Sequence, residues 1–209
     1  MIAITFTLVF SGCALFKPKK PESVEELVQK GIQQFNKKNY RAALEHFNKL
    51  KDWYPFSKYA VLAELKIADA HYHLKEYEDA IFAYEEFVEL HPRNEAVPYV
   101  IYQIGRCYFD RKDTIDRDQN VTRKALETFK RLNEKYPDNL YALKVEEHIN
   151  ECLKSLAAHE LYVGRFYYKT KHYKAALYRF KAVLSKYPDV GLHQKALHYI
   201  TLCEQAMAR

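Results

Sequence analysis

Glycine and proline are scarce in this 209-residue chain, at five and seven. After the first two, every proline ends or opens a helical segment, so little interrupts the helices in between. No stretch alternates apolar and polar residues with the period of two that a half-buried strand needs. No glycine-rich phosphate loop and no Gly-x-Ser-x-Gly elbow occurs. Runs of like charge are missing too: basic residues alternate with acidic ones, as on a solvated helix face, which argues against nucleic acid as a partner. Cys107, Cys152 and Cys203 stand far apart on apolar stripes and read as small core hydrophobes, not as a disulfide framework. His148 and Cys152, four apart, would supply half a metal site, but no further ligand stands near them in sequence. These absences predict an all-α protein with no catalytic centre, cofactor, metal or small-molecule substrate.

What the chain has is a repeat. Ala43, Phe47 and Pro55 recur at identical spacing as Ala80, Tyr84, Pro92, as Ala125, Phe129, Pro137, and as Ala176, Phe180, Pro188. Residues four apart share a helix face, and a proline eight further on stops the helix. Twelve residues before the alanine stands a second small residue, Gly31, Ala68 or Gly164; Gly105 lies twenty before because its repeat carries a longer link. Each is followed four residues later by an aromatic, Phe35, Tyr72, Phe109 or Tyr168. Each unit is thus a hairpin of a helix A and a helix B, expected to cross where both are small. The pattern resembles the tetratricopeptide (TPR) repeat. That resemblance implies a solenoid of about ten helices, with four hairpins and a capping helix, whose A helices line a concave face for extended peptides.

In chain order, residues 1–12 read as a signal peptide whose Ser11-Gly12-Cys13 resembles a bacterial lipobox, with Cys13 the lipidated residue and 13–22 a lysine- and proline-rich tether. Residues 23–209 form one repeat domain, opened by the capping box of Ser23 and Glu26. The first helix is expected to reach about Lys38, and the last to run from about Gly191 to Ala208. Asp110 to Val121 is a polar link eight residues longer than its siblings, either functional or merely tolerated. Its Asp113, Asp116 and Asp118 lack the glycine and final glutamate of a calcium loop. Between Pro137 and Gly164 lie 14 residues more than the repeat requires, almost four turns, which keeps the apolar face in phase. One helix over about 140–170 is expected, with two helices meeting near Ala157-Ala158 as the alternative.

Charge is unevenly placed. Residues 22–94 carry ten basic and thirteen acidic side chains, whereas 139–209 carry eleven basic and six acidic. A basic C-terminal half suits an acidic partner surface.

The lipobox, the tether, Tyr54-Pro55-Phe56, the Asp116-Arg117-Asp118-Gln119 loop and the Tyr-Pro-Asp breaks together resemble the BamD family. This is the lipoprotein component of the β-barrel assembly (BAM) machinery of Gram-negative outer membranes. The resemblance covers the chain from Cys13 to about Glu204 and implies a non-enzymatic scaffold at the periplasmic face of the outer membrane, held there by a lipid anchor. It implies that N-terminal repeats take the signal strands of unfolded outer-membrane proteins through Tyr54, Phe56, Tyr59, Tyr99 and Tyr102. C-terminal repeats would dock on the periplasmic part of BamA through Arg179 and Lys186, with other BAM lipoproteins as further partners. A TPR lipoprotein scaffold of another envelope machine, a pilus pilotin or a cell-division coordinator, is the alternative; it should lack both the long link and the 14-residue extension.

Overall fold

The computed structural model describes residues 21–208; the expected signal peptide and Cys13 lie outside them. Among the described residues there are nine α-helices and no strand: α1 Val24–Asn36, α2 Tyr40–Trp53, α3 Ala60–His73, α4 Tyr77–Leu90, α5 Val97–Asp110, α6 Asn120–Lys135, α7 Leu140–Lys169, α8 Tyr173–Lys186 and α9 His193–Met207. Four A–B hairpins therefore stack in chain order and α9 covers the last, nine helices where about ten are expected.

Local chemistry sets the ends. Ser23 accepts from the Glu26 backbone N–H while Glu26 accepts from that of Ser23, the capping box expected at the start of α1. Helix α1 stops at Asn36, short of Lys38, because Lys38 lies in the left-handed region at φ 61°. Lys75 and Lys171 occupy the same place between α3 and α4 and between α7 and α8, at φ 61° and 60°. At each, crossed backbone bonds close the helix, as from Lys38 N–H to the Phe35 carbonyl and from Asn39 N–H to that of Gln34. This is the Schellman geometry, with lysine where glycine is usual. Helix α9 begins at His193, after Gly191 at φ 83°.

Within a hairpin the A-helix glycine meets the B-helix ring. A Cβ built on Gly31 would lie 2.6 Å from Phe47, on Gly105 2.3 Å from Phe129 and on Gly164 2.6 Å from Phe180. The glycine is a socket for the ring. Between hairpins a second register appears. Ala63, Ile67 and Ala70 pack on the first hairpin; Val100, Ile104 and Cys107 pack on the second. Val145, Ile149 and Cys152 pack on the third, and Ala196, Ile200 and Cys203 on the fourth. All three described cysteines thus occupy the position held by Ala70, fully buried and unpaired.

This register explains the two anomalies of length. Helix α7 is one unbroken helix of 30 residues, which excludes a junction at Ala157-Ala158. Its Val145–Cys152 turns do the packing that, by distance from Gly164, His159, Val163 and Phe166 would otherwise do. The vacated face is partly covered by the long link, of which α5 and α6 claim Asp110, Asn120 and Val121. His159 Nδ1 bonds the Ile115 carbonyl at 2.7 Å, and Lys112 pairs with Glu151 at 3.0 Å. Gln119 is buried: its amide donates to the carbonyls of Thr114 and Arg117, and its oxygen accepts from Thr122 and Ser155. Insertion and extension are one feature.

Candidate protein-interaction surfaces

Tyrosines and a buried acid bridge the A helices of the second and third hairpins. Asp69 of α3 is buried, and one of its oxygens accepts from the hydroxyls of Tyr84 and Tyr99, each at 2.7 Å. Its other oxygen takes Lys66 Nζ at 2.8 Å, while Gln103 donates to the Tyr99 hydroxyl at 3.1 Å. Burial, then the neighbouring carboxylate, pushes both phenols up, so they remain donors. Sequence reading missed Asp69, since an acid beside a helix marker looks like any solvated one. The layer continues through Tyr102, whose ring lies 5.3 Å from Tyr141 and 6.1 Å from His148.

The five expected substrate-binding aromatics fall into two groups. Tyr99 and Tyr102 line α5, half-buried, with the Tyr99 hydroxyl committed to Asp69 and that of Tyr102 accepting from Arg106 at 3.3 Å. Tyr54, Phe56 and Tyr59 belong to the α2–α3 link. Tyr54 donates its hydroxyl to the Glu22 carbonyl at 2.8 Å, and Tyr59 packs on the first core. Phe56 is 100% exposed.

Arg179 and Lys186 lie on α8. Arg179 donates to Glu160 at 3.0 Å, and Glu160 is buried on α7, so this guanidinium neutralises an internal acid. Lys186 is exposed in the last turn, 5.9 Å from the Tyr178 ring. Sequence reading did not single out the more open feature nearby. Phe166, at the position where Ala70 and Cys107 are sealed, is 60% exposed, and Tyr162 one turn before it is 46% exposed. Arg165 and Lys169 flank them in one shallow pocket.

Among the described residues the three thiols sit in the core. Burial pushes the Cys107 thiol up to about 12 and that of Cys152 to about 11. The His148 ring sits 4.7 Å from Phe109 and 5.2 Å from Phe129, beside an open groove of about 890 Å³ lined by Tyr102, Leu143, Glu147, Asp189 and Val190. His71, Glu76 and Asp79 come close enough to share a cation, but Arg41 already pairs with Glu76. No helix of the described residues is long and apolar enough to cross a membrane.

The TPR2AB domain of yeast Sti1 in its pHSP90 complex has a similar fold, at TM-score 0.54 and 17% identity over 88% of this chain and 74% of that one. An outer membrane protein assembly factor BamD from Caulobacter vibrioides is 30% identical over 93% of the chain, which spans 66% of that relative's length. The protein of the same name from Rickettsia prowazekii is 31% identical over 91% of this chain and 77% of its own. The model of the YfiO family, described as outer membrane lipoprotein, matches residues 20–208. With that match over every described residue, the chain belongs to the YfiO outer membrane lipoprotein family.

Proposed function

We propose that this chain is a non-enzymatic scaffold for the assembly of outer-membrane β-barrel proteins, anchored by lipid at Cys13 and docked on BamA and its accessory lipoproteins. The names of its relatives support the reading, as do the exposed aromatic side chains of Tyr162 and Phe166. The inner face of the second and third hairpins, with Tyr59, Tyr99 and Tyr102, takes extended segments of unfolded substrates: rigid rings give contact area at low entropic cost.

The observation that carries the docking half is the uncovered joint on α7. Phe166 stands where siblings are sealed by a neighbouring hairpin, and its ring remains a packing group without a neighbour. Burying it under a partner is worth about 2 kcal/mol, roughly thirtyfold in affinity. Arg165 and Lys169 give the surroundings a positive sign suited to an acidic rim. Arg179 acts by holding Glu160, so Arg179→Glu would set two carboxylates together and perturb the fold; Arg179→Met is the milder probe. In detergent extracts, Phe166→Ser should lower the BamA that co-purifies by about tenfold or more with helicity unchanged. Undiminished recovery would remove α7 from the interface.

A further inference from the structure

One edge of the solenoid carries apolar side chains that nothing covers. Where helix B hands over to the next helix A stand Trp53 and Phe56, 52% and 100% exposed, then Leu90 at the end of α4, and Leu140 and Leu143 at 72% and 70%. The opposite edge, where A turns into B, is built from Lys38, Lys75, Lys171 and the polar link; Ile115 and Met207 there are each 39% exposed, and Phe166, three residues inside the end of α7, is 60% exposed. The first edge is also where the chain enters the fold. The Glu22 carbonyl accepts from Tyr54, its carboxylate takes Lys30 Nζ at 2.5 Å, and Ser23 caps α1. The entering backbone is therefore stapled to the residue between Trp53 and Phe56.

We infer that the Trp53–Phe56 corner is a second contact with the membrane, seated among the phospholipid headgroups of the periplasmic leaflet. Eight residues lie between Cys13 and Glu22, nine steps and at most about 30 Å of extended chain, so an acyl group there keeps this corner within reach of the bilayer. Tryptophan and phenylalanine with a lysine close by, here the exposed Lys58, are residues that settle at an anionic lipid interface. Two rings would not hold a free protein on lipid. They suffice for one already anchored, because tethering makes the second contact intramolecular. The contact would fix which edge of the solenoid faces the bilayer and leave the inner face and Phe166 to proteins.

The inference takes Cys13 as the acylated residue, and Trp53, the sole tryptophan, separates the two claims. The acylated full chain is inserted into vesicles of phosphatidylethanolamine and phosphatidylglycerol, and sedimentation and Trp53 emission are followed together. The expected result is sedimentation with a blue-shifted emission, quenched by lipids carrying a spin label near the headgroup. Phe56→Ser should reduce that quenching about twofold or more while the protein still sediments. Sedimentation with an unshifted emission overturns the inference and leaves the anchor standing. Failure to sediment overturns the anchor, and the corner, which needs that anchor to hold it on lipid, falls with it. A shift produced by the C-terminal peptide of an outer-membrane protein, with none from lipid, assigns the corner to substrate instead.

Discussion

An added methyl group at Gly105 would meet the Phe129 ring at 2.3 Å, and the ring is sealed in the core. Gly105→Ala should therefore cost about 1–3 kcal/mol in urea denaturation, more than the same change at Gly31 or Gly164. The second hairpin carries Ala68 at this place, and its ring, Tyr84, is held through its hydroxyl by Asp69. Lys38, Lys75 and Lys171 bear the opposite signature, a side chain where none is wanted. Replacing any of them by glycine should stabilise the fold by about 0.5–1 kcal/mol, unless the lysine makes contacts that offset its backbone strain. Thiol chemistry gives a third check. Cys107 and Cys152 should resist alkylation at pH 8 in the native protein and react promptly in urea, because burial keeps both protonated. Prompt native labelling would show that the joints between hairpins open readily.

At the scale of elements, the joints differ in what they ask of pH. His73 of α3 stacks on Tyr40 of α2 at 4.6 Å and packs edge-on to Phe35 of α1, and burial lowers its pKa. A base whose folded pKa is depressed favours folding while neutral. That contribution is complete above the unfolded value of about 6.5 and is lost as pH falls below it. Chemical denaturation near pH 7.5 and pH 5.5 should show less acid weakening in His73→Gln than in the parent. The joint of the third and fourth hairpins relies on Gln119 instead. Gln119→Ala would leave buried partners unpaired, cost about 1–3 kcal/mol, and speed hydrogen exchange at the start of α6. Unchanged exchange there would mean that the link is held by His159 and Lys112 alone.

Across the whole molecule, how much could be read in advance depended on whether a residue's role is periodic. The four hairpins were legible because glycine, alanine, aromatic and proline recur in register, and α7 because 14 residues nearly complete four turns. Cys107, Cys152 and Cys203 read correctly as core, although their common register with Ala70 shows only once the hairpins are stacked. Asp69, Gln119 and the Arg179–Glu160 pair escaped for one reason: a polar side chain resembles a solvated one until its distant partner is known. Phe166 escaped because only its siblings' burial marks its exposure as unusual.

Helix α7, about 45 Å from end to end, belongs to two hairpins at once. A short turn separates each pair from the next and can absorb a change of angle; within α7 the turns that pack on the third hairpin and those that pair with α8 share one continuous backbone. A load applied at Phe166 is carried as a lever arm into the third hairpin, and the Gln119 link serves as its fulcrum.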